Sequence, residues 1–350
     1  MKMLIADIVS GCNQGNCTGH YFAVADNYYD LLKGKFEVEV AGGPVYSQHF
    51  SGRLFSLPFD QRVEDSIIVR KISVFRNFFY LMKQAGDHTI IFQSSGMTII
   101  LAGLLLVRPK TDIYLINYDK QIMQSRIKRM LYKLVKGKIK GVICPDEEIG
   151  RSLGLPCCVV PDYIYCGNYQ METLHEKNYD FGIFGRLVEG KGILEAARYF
   201  AGKNCTLRIA GNVGPRPEDQ AMIEQLREVA GQHSNIVLEE GFLSTEQYEQ
   251  HILDSRYIVL NYLSAYDLRS SGVIFDALYR GVPVIATRRK LTQFVEDYQV
   301  GYVFDDIQHI DLDMLMSEKN REDYISNIGN YLRDQTRYRD KLAEFISGKN

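Results

Sequence analysis

The sequence of 350 residues has no tryptophan, no C-x-x-C pair and no apolar run long enough to cross a bilayer. Its longest apolar run, residues 97–107, is about half the length that a spanning helix needs, so a buried helix explains it better. The apolar start of the chain is interrupted at once by Asp7, which argues against an export signal. These absences predict a globular protein of the cytoplasm.

Metal and disulfide sites also lack support in the sequence. The seven cysteines are odd in number and form no zinc spacing, which favours reduced thiols. The seven histidines are scattered, and none belongs to a His-x-x-x-His or His-carboxylate cluster. A net charge of -2 gives no general reason to expect a nucleic-acid partner. We therefore expect no metal, no cofactor and no nucleic acid.

The most informative segment is residues 268–287, LRSSGVIFDALYRGVPVIAT. Small residues open an apolar-faced helix there, and Gly-Val-Pro then leads into a strand. Backbone N–H groups at Ser270, Ser271 and Gly272 can bind an anion, and the helix dipole adds partial positive charge. One turn later, Asp276 can accept hydrogen bonds from ribose hydroxyls. An ordinary strand-helix-strand unit with Ser270 as the N-cap explains this segment alone equally well.

A second segment lies upstream, FGIFGRLVEGKGILEA at residues 181–196. Its short apolar strand ends at Gly185, and Arg186 and Lys191 bracket a glycine-containing turn before a helix. Ligands of open parallel sheets bind outside the carboxyl ends of the strands, so Arg186, Lys191 and Ser271 are expected to meet in one crevice. Two cations there suit a diphosphate. A solvated turn is the alternative, and it is the weaker interpretation once both segments are considered in order.

The carboxyl half resembles the retaining glycosyltransferases of family 4, which have the two-domain GT-B fold. The amino half is similar only more loosely, through Thr18-Gly19-His20 and residues 142–146. The matching pieces of the carboxyl half are Gly185-Arg186-Leu187 with Lys191-Gly192, residues 207–214, residues 235–238 with 241–243, and Ser271-Gly272 through Asp276-Ala277 to residues 281–286.

The resemblance implies an α/β protein of two Rossmann-like, doubly wound domains facing a central cleft. Residues 1–163 would form the acceptor-binding domain, residues 164–330 the nucleotide-sugar domain, and residues 331–350 a helix that packs back on the first domain. The sequence itself alternates strand and helix patterns, which predicts parallel sheets covered on both faces. The predicted elements include a helix near residues 74–84 and strands at residues 89–92, 113–116 and 141–144.

The resemblance also implies an activity, the transfer of a sugar from a nucleotide-diphosphate sugar to a glycan or lipid-linked acceptor. The anomeric configuration would be retained, and the product would be a cell-surface polysaccharide or glycolipid. Arg186 and Lys191 would hold the diphosphate and stabilise its growing charge. The other donor-binding residues would be Gly185, Ser270, Ser271, Gly272 and Asp276.

Two departures from the family pattern leave other functions open. Asp276 stands where the family usually has the second Glu of a Glu-x7-Glu pair, and the first Glu has no counterpart: position 268 is Leu268, and the nearest acid is Asp267. The family often places a histidine after a central strand, where this chain has Asn117 and Asp119. A non-catalytic nucleotide-sugar-binding or scaffold protein, or a sugar-nucleotide epimerase, therefore remains an alternative.

The first loop, residues 10–20, is rich in small and amide residues. Thr18, Gly19 and His20 are candidate donor or acceptor contacts there, together with Asn117 and Asp119. A flexible loop with Thr18 as an N-cap is an equally good interpretation. The glycines of this loop are four residues apart and do not form G-x-G-x-x-G, which disfavours a dinucleotide-binding dehydrogenase.

Residues 120–140 contain eight Lys or Arg residues and no acid. Apolar residues at helical spacing predict a basic amphipathic helix, with its apolar stripe docked on the core and its cations exposed. Such cations are attracted to anionic headgroups by roughly 1 kcal/mol each near the surface. Peripheral attachment to the inner membrane leaflet and a merely solvated helix are both open interpretations.

Overall fold

The computed structural model describes residues 1–13, 15–17, 20–94, 96–118, 121–161, 177–263 and 271–348. Contacts within the chain divide these residues into two compact units. The first unit contains the described residues up to 161 and residues 335–348, and the second contains residues 177–334. Each unit is built on its own parallel sheet.

The first unit contains a seven-stranded parallel sheet in the order β10-β9-β8-β7-β1-β4-β5. A second, three-stranded sheet has the order β3-β2-β6. The strands are β1 (Lys2–Ala6), β2 (Gly11–Asn13), β3 (Asn16–Cys17), β4 (Glu37–Gly42), β5 (Leu54–Ser56), β6 (Gln61–Arg62), β7 (Thr89–Phe92), β8 (Ile113–Ile116), β9 (Gly141–Cys144) and β10 (Cys157–Val159). Every residue of β7, β8 and β9 is buried, as expected for central strands of a sheet covered on both faces.

The helices of the first unit cover the two faces of the large sheet. They are α1 (His20–Leu32), α2 (Tyr46–His49), α3 (Ile67–Gln84), α4 (Met97–Leu106), α5 (Gln121–Gln124), α6 (Arg126–Val135) and α7 (Glu147–Leu153). Phe78 of α3, Leu101 of α4 and Val135 of α6 share one apolar core. Tyr28 of α1 belongs to a separate core on the other face.

The second unit contains a six-stranded parallel sheet in the order β13-β12-β11-β14-β15-β16. Its strands are β11 (Tyr179–Phe184), β12 (Leu207–Gly211), β13 (Ile236–Glu240), β14 (Ser255–Leu260), β15 (Val284–Thr287) and β16 (Gly301–Phe304). Its helices are α8 (Ile193–Phe200), α9 (Pro217–Gln232), α10 (Thr245–Leu253), α11 (Gly272–Tyr279), α12 (Gln293–Asp297), α13 (Leu312–Met316) and α14 (Glu318–Asp334).

The strand order of the second unit reverses between β11 and β14. From β11 the chain adds β12 and β13 on one side, and it then returns to place β14 on the other side. A crevice opens at such a point, outside the carboxyl ends of the strands. Residues 185–192, which follow β11, and residues 261–263, which follow β14, therefore flank the natural ligand position of this sheet.

The last helix, α15 (Thr336–Ser347), belongs to the first unit. Leu342 and Ile346 are buried in the core that also contains Tyr28 of α1. The hydroxyl of Tyr114 in β8 donates to the carbonyl of Ile346 at 3.2 Å. These contacts fix α15 on the sheet face opposite to α3, α4 and α6.

Two local predictions need correction. Helix α3 begins at Ile67 rather than near residue 74, because Ser66 caps it: the Val69 N–H donates to the Ser66 hydroxyl at 3.4 Å. In α6, Tyr132 and Val135 are buried, but Ile127, Met130 and Leu134 are exposed. The apolar stripe of the basic helix is therefore only partly docked on the core, because just one narrow side of α6 faces the sheet.

The apolar run at residues 97–107 forms α4, with Ile100, Leu101 and Leu104 fully buried. This confirms a helix for that run, buried on the side that faces the sheet, whereas Leu105 and Leu106 at its end are exposed. None of the helices in the described ranges combines the length and the apolar character needed to cross a membrane.

Candidate active site

The turn after β11 is held by the backbone of the next strand. Gly185 has φ of 92°, and its N–H donates to the carbonyl of Ala210 at 3.1 Å. The Leu187 N–H donates to the Asn212 carbonyl at 2.8 Å. A Cβ atom at Gly211 would lie 1.6 Å from the Gly185 carbonyl oxygen, so only glycine fits at position 211. Strand β12 thus sets the position from which Arg186 projects.

The turn that carries Lys191 is braced from the other side of the crevice. The Asn261 side-chain amide donates to the Gly192 carbonyl at 2.9 Å, and the Leu263 N–H donates to the Gly190 carbonyl at 3.0 Å. Both donors follow β14, the strand across the switch point. Gly192 has φ of 59°, and a Cβ atom there would lie 2.2 Å from the Asn261 carbonyl oxygen. The turn is therefore fixed in place before any ligand binds.

A buried carboxylate, Asp219, also supports the turn that carries Lys191. Asp219 of α9 is fully buried, and its Oδ1 accepts a hydrogen bond from the Glu189 N–H at 3.0 Å. Arg216 donates to both Asp219 oxygens, at 3.1 and 3.0 Å. Burial acts to raise the pKa of Asp219, but the hydrogen bonds from Arg216 and from the Glu189 N–H outweigh it, so the pKa is lowered. Asp219 is thus held as a carboxylate that supports the turn.

Arg186 and Lys191 are neighbouring cations in the turn after β11. Arg186 is exposed and Lys191 is partly buried, and neither forms an ion pair with any residue in the described ranges. Desolvation, reinforced by the nearby Arg186 charge, lowers the pKa of Lys191 from 10.5 to about 8. The chain therefore holds two like charges together at a strand end, an arrangement that an anion would stabilise.

The start of α11 adjoins the same point. A Cβ atom built on Gly185 would lie 3.9 Å from Lys191 Nζ and 3.9 Å from Val273 Cγ2. Val273 is the second residue of α11, directly after Ser271 and Gly272. The structure thus brings Gly185, Lys191 and the amino end of α11 together around the β11 terminus.

Ser271 occupies the N-cap position of α11 but makes no side-chain cap. Its buried hydroxyl is instead hydrogen-bonded to the hydroxyl of Tyr262, which follows β14. Ser270, Leu268 and Asp267 lie outside the described residues. The helix start is therefore positioned by a tyrosine that the sequence pattern did not single out.

Asp276 lies in the middle of α11 and is only partly exposed. The Tyr248 hydroxyl donates to its Oδ2 at 2.9 Å, and Arg280 donates to its backbone carbonyl at 3.0 Å. Burial raises the pKa of Asp276 above its usual value, although the Tyr248 hydrogen bond and Arg280 oppose this. Tyr248 belongs to α10, and no spacing in the sequence connects it to Asp276.

Of the candidates in the amino half, Thr18, Gly19 and Asp119 lie outside the described residues, and for His20 the structure describes only the backbone at the start of α1. Asn117 is buried directly after β8, and its N–H donates to the Ile143 carbonyl at 2.9 Å. In the part of the chain that is described, no group of three or more His, Cys, Asp or Glu residues could hold a metal ion.

Comparison with known proteins gives matches among solved structures only, since no family model and no curated protein matches the chain. HepE of Anabaena in complex with UDP aligns at a TM-score of 0.68 and 14% identity, over 99% of this chain and 100% of HepE. The fold is GT-B. The UDP-forming α,α-trehalose-phosphate synthase of Burkholderia xenovorans, in complex with glucose-6-phosphate, aligns at 0.65 and 12%, over 98% of this chain and 99% of that one.

The GT-B match to TarM is partial. It has a TM-score of 0.54 and 16% identity over 75% of this chain, and it spans 55% of TarM. The full-length GT-B matches confirm the prediction of two Rossmann-like halves, each with a parallel sheet. Identities of this size establish the fold alone.

Proposed function

We propose that the protein is a glycosyltransferase that moves a sugar from a nucleoside-diphosphate sugar to a glycan or lipid-linked acceptor in the synthesis of a cell-surface polysaccharide or glycolipid. The observation that carries the proposal is the pair Arg186 and Lys191, two cations without a carboxylate partner among the described residues, at the switch point of the second sheet. The proposed site of action is the cytoplasm.

The positive charges of Arg186 and Lys191 can stabilise the charge that develops during sugar transfer. When the bond from the anomeric carbon to the diphosphate breaks, negative charge grows on the leaving group and the sugar gains oxocarbenium character. Fixed cations and N–H groups aimed at that charge lower the barrier, and losing one such donor costs on the order of 3 kcal/mol. In the proposal Arg186 and Lys191 bind the diphosphate, aided by the backbone at Gly185, Ser270, Ser271 and Gly272.

The bracing of the turn supports this assignment. Backbone hydrogen bonds from residues after β12 and β14, together with Asp219, hold the two cations near each other despite their repulsion. A fixed arrangement needs no reorganisation during the reaction, which is the condition under which electrostatic stabilisation is most effective. Surface cations that serve only solubility need no such support.

Asp276 is proposed to contact the ribose. Its Oδ2 accepts from Tyr248, and no described side chain donates to its Oδ1. Tyr248 would therefore orient the carboxylate while the other oxygen accepts from a ribose hydroxyl. Retention of the anomeric configuration, with a leaving-group oxygen assisting deprotonation of the acceptor hydroxyl, is part of the proposal and rests on the family resemblance.

The experiment is direct titration with nucleoside diphosphates by calorimetry, beginning with UDP because a GT-B structure similar to this chain contains it. Arg186→Met and Lys191→Met are expected to weaken binding at least tenfold, about 1.4 kcal/mol. Lys319→Met, an exposed lysine of α14, is the matched control and should bind as the unchanged protein does. Undiminished binding by both site variants would contradict the assignment.

A transfer assay then separates the enzyme from its alternatives. Release of nucleoside diphosphate that depends on an added acceptor supports a transferase. Tight binding without turnover of any donor supports a non-catalytic nucleotide-sugar-binding protein, and conversion of one nucleotide sugar into its epimer supports an epimerase. Thermal-shift screening of nucleoside-diphosphate sugars identifies the donor, because a ligand of the native state raises its stability.

A further inference from the structure

Large apolar side chains are exposed on three adjacent helices of the first unit. Ile67 and Ile68 of α3, Leu106 of α4, and Ile127, Met130 and Leu134 of α6 each have more than half of their surface in solvent. The exposed fraction is 71% for both Ile68 and Leu106. On the surface of a soluble protein, large exposed apolar residues usually occur singly, whereas several of them on neighbouring helices indicate an interaction site.

These helices lie in one layer. Phe78, Leu101 and Val135 anchor α3, α4 and α6 in the same core on the same face of the seven-stranded sheet. Helix α4 packs against α3 on one side and against α6 on the other. The sides of the three helices that point away from the sheet therefore form a single surface, which we call the α3–α4–α6 face.

The charge of the α3–α4–α6 face has one sign. Helices α3 and α6 carry four Lys or Arg residues each, and the three helices contain no Asp or Glu. They thus contribute eight positive charges to a chain whose net charge is -2. No described carboxylate pairs with Lys71, Lys83, Arg126 or Lys133. The charge of these four side chains is therefore available to an external anion.

The exposed apolar side chains and the positive charge of the α3–α4–α6 face together indicate the chemistry of its partner. A surface that carries only positive charge favours an acidic partner, because complementary potentials select the partner at an interface. Exposed Ile, Leu and Met among these cations, with no acid within the three helices, match an anionic bilayer surface: the apolar groups enter the headgroup boundary and the cations bind acidic headgroups. A helix without a membrane-spanning length is sufficient for this mode of binding.

We propose that the α3–α4–α6 face docks on an anionic bilayer, with Ile68 and Leu106 inserted among the headgroups and the cations of α3 and α6 around them. The sequence pointed only to residues 120–140; the structure adds α3 and α4 and supplies the exposed apolar groups. The proposal does not depend on sugar transfer, because vesicle binding requires no nucleotide.

Tryptophan fluorescence provides a direct test, since the chain has no tryptophan of its own. Ile68→Trp places a single reporter on the α3–α4–α6 face, and Phe242→Trp places one on the second unit, where Phe242 is 75% exposed. With vesicles of phosphatidylcholine and phosphatidylglycerol, the emission of the first reporter should shift to shorter wavelength and be quenched by brominated lipid. The second reporter should stay unchanged.

Sedimentation with the same vesicles tests whether binding needs the acidic headgroups, the exposed apolar side chains and the cations. The unchanged protein should bind vesicles that contain phosphatidylglycerol, and binding should weaken with salt and disappear on pure phosphatidylcholine. Ile68→Asp combined with Leu106→Asp, and Lys71→Glu combined with Lys133→Glu, should each lose at least nine-tenths of this binding. Phe242→Asp is the matched control and should bind as before.

Nucleotide titration of each variant reports whether the chain still folds, because the candidate nucleotide site lies in the other unit. Thermal unfolding gives the same information if the nucleotide proposal fails. Binding to neither kind of vesicle, equal binding to both, or unchanged binding by the substituted proteins would overturn the proposal. So would a dimer in solution that Ile68→Asp dissociates, since the face would then bind a second copy of the chain.

Discussion

Replacing Lys191 with methionine is expected to make the free protein more stable while weakening its affinity for a nucleoside diphosphate. The lysine pKa is about 8 in the folded chain and 10.5 when unperturbed. Between these values the unfolded chain binds more protons than the folded one, so stability rises with pH. Below the lower value, the charged lysine costs the fold about 3 kcal/mol at 1.36 kcal/mol per pKa unit.

Chemical denaturation at several pH values measures this cost. Lys191→Met should be more stable than the unchanged protein near pH 7 by up to about 3 kcal/mol, and the gain should shrink as the pH rises from about 8 towards 10.5. Comparing the two proteins at each pH cancels all other titrating groups. Lys319→Met, which removes an exposed lysine, should show no such pH-dependent difference.

The same shift gives nucleotide binding a pH dependence. A bound diphosphate raises the pKa of Lys191, so binding takes up a proton above pH 8, and affinity should fall by up to about tenfold per pH unit there. Lys191→Met should bind weakly and without that slope. A stability gain that is constant with pH, together with an affinity for UDP that is flat across this range, would refute the reasoning.

Three further predictions follow from particular contacts. Gly211→Ala should lower the melting temperature and weaken UDP binding, because its Cβ would collide with the Gly185 carbonyl, and thermal unfolding with titration measures both effects. Tyr248→Phe removes the hydrogen bond to Asp276 and should weaken UDP binding by about 1 kcal/mol while leaving pyrophosphate binding unchanged, as calorimetry with the two ligands would show. Gln93→Leu should stabilise the fold by about 1–3 kcal/mol in denaturation, because neither polar atom of the buried Gln93 amide has a hydrogen-bond partner among the described residues; a loss of stability would contradict this.

Sequence reasoning performs best where burial alone decides the structure. The predicted strands at residues 89–92, 113–116 and 141–144 coincide with β7, β8 and β9, because a central parallel strand is a short, uninterrupted apolar run. It performs worst where a helix lacks a clear apolar side. The first turns of α3 expose their apolar residues, so their periodicity does not show which side faces the core, and the predicted start at residue 74 is seven residues too late.

The candidate site likewise contains residues that the sequence predicts and residues that it does not. Gly185, Arg186 and Lys191 could be selected because glycines and cations follow a predicted strand closely in sequence. Tyr248 and Asn261 could not, because each reaches its partner through tertiary structure: Tyr248 lies 28 residues from Asp276, and Asn261 lies 69 residues from Gly192. The lowered pKa of Lys191 was equally inaccessible, since it depends on desolvation and on the distance to Arg186.

The hydrogen bonds of Asp219 explain why the turn that carries Arg186 and Lys191 is suited to an anionic ligand. A carboxylate placed beside Arg186 and Lys191 would relieve their repulsion but would also compete with a diphosphate. The buried carboxylate of Asp219 instead accepts hydrogen bonds from the Glu189 N–H and from Arg216. Asp219 therefore fixes the geometry of the turn without neutralising its cations. The charge of Lys191 is unfavourable in the free folded chain, as its lowered pKa shows. A bound anion offsets this electrostatic cost, and the free energy released contributes to binding.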